Sequence, residues 1–133
     1  SLVAETGEAL YLERSEGWTI EDCSGFVREA VLPLLGPPEA RATDSMIRWA
    51  LRAWIHSLGR PAMIYTDCLW HDEPAFKSLF TDRMNLWPDG LDQRFLEFDS
   101  PAVELAFQSK GLRRHHALDD AIALKTAYLL QSM

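Results

Sequence analysis

Cysteine is almost missing from this sequence: Cys23 and Cys68 are the only two in 133 residues. Two cysteines so far apart make neither a disulfide framework nor a zinc cage, which points to a reducing, cytoplasmic setting. Long apolar runs are missing too. No window approaches the roughly 20 uninterrupted apolar residues that a membrane helix needs, so no membrane partner is expected. The opening residues, Ser1-Leu2-Val3-Ala4-Glu5-Thr6, have no basic flank and do not read as a signal peptide. Positive charge is scarce: 13 Lys and Arg face 20 Asp and Glu, a net charge of −7. A protein that grips duplex nucleic acid along many phosphates presents a basic face, and this balance argues against such a module. It leaves room for an enzyme whose divalent ions meet the phosphate charge instead.

What the chain does have is material for a core. Five Trp, six Phe and three Tyr within 47% hydrophobic residues exclude a permanently disordered chain. The length suits a single domain spanning residues 1–133. Val3-Ala4 and Ala9-Leu10-Tyr11-Leu12 flank Thr6-Gly7-Glu8 as a β-hairpin. Residues 20–35 read as a helix capped by Ser24 or Asp22, weakened near its end by Pro33 and stopped by Gly36-Pro37-Pro38. The clearest helix follows Thr43, with Ile47, Leu51, Trp54, Ile55 and Leu58 on one face and Gly59 as terminator. Residues 62–66 read as a buried strand, Pro74 as the opening of a helix, and 85–90 as loop. A strand is expected at 94–98, a helix after Ser100-Pro101, and a last helix over about 117–130. Strands alternating with helices indicate an α/β fold.

Two segments carry candidate chemistry. In His115-His116-Ala117-Leu118-Asp119-Asp120-Ala121, helical projection sets Asp120 at the margin of an apolar stripe and turns Asp119 to solvent. Acidic residues there also suit the positive end of a helix dipole, whatever else they do. In Thr66-Asp67-Cys68-Leu69-Trp70-His71-Asp72, the end of a strand meets the start of a helix, where open α/β sheets bind ligands. Asp72 there also suits a helix cap, and Asp67 a turn.

The run HHALDDA at 115–121 resembles the third motif of the histidine-type DEDD 3′–5′ exonucleases, a histidine, four residues, then an aspartate. Cys68-Leu69-Trp70-His71-Asp72 followed by Phe76 is similar to that family's second motif. Gly7 in an early hairpin, Val31-Leu32-Pro33 and Leu105-Ala106-Phe107-Gln108-Ser109 extend the likeness over the whole chain, toward the small bacterial exoribonuclease-like branch. The resemblance implies an RNase H-like mixed sheet flanked by helices, and phosphodiester hydrolysis from 3′ ends by a two-metal mechanism. It implies two Mg²⁺ or Mn²⁺ ions, with Asp72 and Asp120 among their ligands, and His115 as the general base. Arg113 and Arg114 are the implied contacts to a single-stranded nucleic acid 3′ end, RNA in preference to DNA. Asp72, His115 and Asp120 are then expected to converge.

The family's first motif, Asp-x-Glu on a central strand, has no counterpart; the nearest string, Val3-Ala4-Glu5-Thr6, has valine in the aspartate's place. The sheet is therefore expected to lack its first central strand, supplied by an upstream segment or by another chain. Two rivals stand beside this reading. His71-Asp72, with His56 upstream and Asp119 or Asp120 downstream, loosely matches HD-type metal phosphohydrolases, which are all-helical. The other is an RNase H-like module that binds nucleic acid or protein without cleaving. A homodimer is compatible with any of them.

Overall fold

The computed structural model describes all 133 residues, as a mixed α/β protein. No helix is long and apolar enough to cross a membrane. The chain divides into two compact units: Ser1–Thr43 with Ser100–Met133, and Asp44–Asp99.

In the first unit, β1 (Leu2–Val3) and β2 (Ala9–Leu10) form the expected antiparallel hairpin. Its turn needs a left-handed residue, which Gly7 supplies at φ 106°. Next, β3 (Glu13–Arg14) pairs in parallel with β4 (Arg41–Ala42). Between them the expected continuous helix over 20–35 breaks into pieces. A 3₁₀ turn at Ile20–Asp22 is locked by a capping box, Thr19 N–H and Oγ1 both reaching Asp22 Oδ2 at 3.0 Å. Cys23 is then extended, and Ser24 Oγ accepts the Val27 N–H at 3.3 Å to start a second turn. Thr19 is the N-cap of the first turn, with Asp22 its capping-box partner inside it, so of the two expected caps only Ser24 opens a turn of its own. The second winds as a π-helix over Val27–Val31, with Leu32 N–H bonding Val27 O, and tightens to 3₁₀ at Leu32–Leu34. Pro33 has no N–H to offer the α-helical ladder, and the register widens just ahead of it.

Helices α3 (Ala102–Lys110) and α4 (Ala117–Gln131) complete this unit. Ser100 Oγ accepts the Ala102 N–H at 3.2 Å, and Pro101 is already helical, as the Ser-Pro signal indicates. The core here is built on small residues: Ala106 and Phe107 of α3 meet Ala123 of α4, with Val103 and Leu112 beside them. Alanines at Ala123 and Ala127, each fully buried, allow close approach of the helix backbones. At the far end, Gln131 Nε2 donates to Ser100 Oγ at 2.6 Å.

The second unit begins with α1 (Asp44–Ser57), which buries Ile47, Leu51 and Ile55 as its periodicity requires. Gly59, at φ 69°, ends the turn that follows. The strand expected over 62–66 survives as one bridge, Ala62 to Leu91, and as β5 (Tyr65–Thr66), parallel to β6 (Leu96–Glu97). Helix α2 (Leu69–Ser78) starts five residues before Pro74 rather than at it. Proline so near a helix start deletes a single backbone hydrogen bond, a cost an aromatic cluster readily offsets. Phe76 stands 5.3–5.8 Å from the rings of Phe80, Trp87 and Phe95, and Phe80 is fully buried. Arg48 Nη1 ties α1 to the end of α2 through Leu79 O at 2.9 Å.

Candidate functional site

The segment leading into α4 folds as a clasp. Gly111, left-handed at φ 62°, ends α3, and the chain turns back over the first turn of α4. There Asp119 Oδ2 accepts the Arg113 backbone N–H at 2.8 Å and its Nε–H at 3.0 Å. His116 Nδ1 lies 3.6 Å from the other oxygen, Oδ1. Asp119 is only 9% exposed, so the helical projection misassigned it. The reason is the buried row: Asp119, Ala123 and Ala127 are spaced i, i+4, i+8, and this row rather than the bulkier Leu118, Ile122 and Leu129 faces the core most directly. The Arg113 guanidinium and N–H hold the Asp119 carboxyl below its ordinary range, and the pairing raises Arg113 in turn.

Asp120 is half-buried, and its Oδ1 accepts the His115 N–H at 3.2 Å. The histidine and aspartate of the HxxxxD pattern are thereby joined. His115 is exposed and sits at φ 66°, a left-handed conformation uncommon for any residue but glycine. Its ring meets Phe26 edge-on at 4.9 Å. His116 is the buried neighbour, 6% exposed, stacked on Tyr11 with ring centroids 5.1 Å apart. Two adjacent His and two adjacent Asp thus divide the same way: His116 and Asp119 go inside, His115 and Asp120 stay accessible.

The arginines expected at a substrate are engaged within the unit. Arg113 belongs to the Asp119 clasp; Arg114 pairs with Glu104, its guanidinium 4.6 Å from the centre of the Phe107 ring.

Asp72 stands on α2, in the other unit. Buried Thr66, at the end of β5, donates its hydroxyl to Asp72 Oδ2 and accepts the Cys68 N–H at 3.1 Å. The strand end thereby fixes the carboxylate at the helix start. Asp67 titrates above its ordinary range, first through desolvation and then through the charges of Asp72, Asp99 and Glu97.

Sequence reasoning passed over a cavity of about 1030 Å³ in the first unit. Its lining runs from Tyr11 and Glu13 across Trp18, Val27 and Leu35 to His115 and His116. Glu13 is 7% exposed. Its Oε2 accepts the Tyr11 hydroxyl and the Gly36 N–H, the latter at 2.6 Å, while its Oε1 is buried with no hydrogen-bond partner. Burial, then the hydrogen bond to Glu13, pushes the Tyr11 hydroxyl up to about 12. The signal available in the sequence was a glutamate two residues after Tyr11, directly behind the apolar run 9–12.

For divalent ions the donor chemistry fits in kind, since Asp72 and Asp120 offer the hard oxygens that Mg²⁺ and Mn²⁺ prefer. It does not fit in number: no three His, Cys, Asp or Glu side chains gather in a group able to hold a metal. No protein-family model matches the chain, and no curated protein matches it either.

Proposed function

We propose that this chain carries the second and third acidic motifs of an RNase H-like, metal-dependent 3′–5′ exonuclease acting on single-stranded RNA. The observation that carries the reading is the clasp at the head of α4. It buries His116 and Asp119 in structural contacts and leaves His115 and Asp120, the two residues of the HxxxxD pattern, accessible and joined. In this reading His115 takes the proton of the attacking water, a task suited to imidazole near neutral pH. Asp72 and Asp120 would hold divalent ions, which when bound supply positive charge at the scissile phosphate. In that family the remaining ligands stand on an Asp-x-Glu strand, and no Asp-x-Glu string occurs in these 133 residues.

The test uses the native gene product, 5′-labelled single-stranded RNA and Mn²⁺. Stepwise shortening from the 3′ end is expected, lost together with Mn²⁺ binding in Asp120→Asn. His115→Ala should keep Mn²⁺ binding and slow cleavage at least ~10²-fold, the scale of a lost general base. Cleavage and Mn²⁺ binding that survive in both Asp72→Asn and Asp120→Asn would overturn the proposal.

A further inference from the structure

Two uncommon backbone features of the first unit meet at one side-chain contact. His115 stands left-handed at φ 66°, and Val27–Val31 wind as a π-helix. Both kinds of backbone are rare and gather at functional sites. Phe26 opens the π-helix, and its ring meets the His115 imidazole edge to face, 4.9 Å between centroids and 86° between planes. The backbone of the histidine is fixed on both sides of this contact. Its N–H is held by Asp120 Oδ1 at 3.2 Å, and the next residue, His116, is buried and stacked on Tyr11. With the Cβ direction set, only the two side-chain torsions of an exposed imidazole are left to fix. The other partner is anchored as well. Ser24 Oγ accepts the Val27 N–H at 3.3 Å, and Arg28 reaches back to Ile20 O at 3.1 Å and Glu21 O at 3.2 Å. Phe26, between them, still leaves 58% of its surface in solvent. A phenylalanine so exposed adds little to a core, and the ring it touches is the imidazole.

We propose that Phe26 is a positioning residue, which holds the His115 imidazole in the one orientation where the accessible His115–Asp120 pair acts. An exposed histidine samples about three χ1 wells, each with about two χ2 arrangements. An edge-to-face aromatic contact favours one of these. Released from the contact, a general base is aimed correctly for a smaller share of the time. The loss expected in kcat is therefore about 3- to 6-fold, with KM unchanged. The effect on cleavage rests on the exonuclease reading above; the orienting contact itself does not.

The experiment pairs NMR of the His115 ring with kinetics of the native gene product on 5′-labelled single-stranded RNA and Mn²⁺. The His115 ring protons are expected away from their free-histidine positions, displaced by the Phe26 ring current. That displacement should vanish in Phe26→Leu, which keeps an apolar side chain without the ring, and persist in Phe26→Tyr. Phe26→Leu should lower kcat about 3- to 6-fold at constant KM, and Phe26→Tyr should restore it. In a His115→Ala background Phe26→Leu should cost nothing further, because a positioning residue has no effect without the group it positions. A merely structural Phe26 would lower both backgrounds by the same factor. Circular dichroism checks the fold of Phe26→Leu, and Phe26→Met takes its place should leucine not be tolerated. Ring signals that ignore Phe26→Leu, equal losses in the two backgrounds, or a rise in KM at constant kcat each overturn the proposal. A gene product that does not shorten RNA overturns the exonuclease reading instead, and the His115 ring signals then decide this proposal alone.

Discussion

Asp119→Ala removes the carboxylate on which the clasp is built. Two hydrogen bonds go with it, from the Arg113 N–H at 2.8 Å and Nε at 3.0 Å. A hydrogen bond to a charged group contributes about 1.5–3 kcal/mol, and a donor left unpaired costs about 1–3 kcal/mol. Arg113 is itself well exposed, its side chain at 55%, so water takes up part of that loss and the ion pair adds little. Alanine's better helix propensity returns roughly 0.5 kcal/mol. The net expectation is about 2 kcal/mol of destabilisation. For a chain of 133 residues that corresponds to a fall in Tm of about 6–10 °C. Asp120→Asn is the matched control, since asparagine keeps an oxygen for the His115 N–H; it should stay within ~0.5 kcal/mol of the unmodified protein. Thermal and urea unfolding followed by circular dichroism measure both. A smaller loss in Asp119→Ala than in Asp120→Asn would refute the division into a buried and an accessible aspartate.

Three further outcomes are expected. Because Asp119 titrates below its ordinary 3.8 when folded, its stabilisation is complete above that value and is lost as pH falls through the folded value. The stability gap between the unmodified protein and Asp119→Ala should therefore narrow in urea titrations as pH drops below about 3.8. Asp67, raised when folded, has the opposite sign: its contribution is complete below 3.8 and is lost as pH rises, so Asp67→Asn should be neutral or stabilising at pH 7. His115→Gly should be more stable than His115→Ala by about 1 kcal/mol, because φ 66° strains any residue with a Cβ and both variants lose the Phe26 contact equally. Equal stabilities for the two would remove the argument for strain.

The helices α1, α3 and α4 were readable because periodicity, caps and terminators agreed along each of them. Thr43 and Gly59 bracket α1, Ser100-Pro101 opens α3, and Gly111 closes it. Residues 20–35 failed that test of agreement. Their apolar spacing is helical, but Thr19 with Asp22 and Ser24 with Val27 set up competing starts, and Pro33 disrupts the end. Local hydrogen bonds from short polar side chains then decided the backbone. The strand at 62–66 was overstated for another reason. Ala62, Met63 and Ile64 are only half-buried and Tyr65 is exposed, and the paired register with β6 covers Tyr65 and Thr66, with Leu96 N–H reaching Ile64 O at 3.0 Å just before it.

The candidate site was legible in type and misread in orientation, and the misreading has a physical cause. A helical projection weights large apolar side chains, so the stripe is drawn through Leu118, Ala121, Ile122, Leu124, Tyr128 and Leu129. Close packing of α3 on α4 selects small residues at the contact, where Ala123 meets Ala106 and Phe107, and Ala127 is the next buried residue of the same row. Extending that row one turn toward the N-terminus reaches Asp119, which can be buried only because Arg113 folds back to meet it. Burial of Asp119 then fixes its neighbour. On a helix the next residue lies about 100° away, so Asp120 is carried off the buried row to where its carboxylate meets the His115 N–H. The accessible histidine–aspartate pair is in this sense a consequence of two alanines. A bulky substitution such as Ala123→Leu would have to push the helices apart, and with them the Arg113–Asp119 clasp that sets where His115 stands.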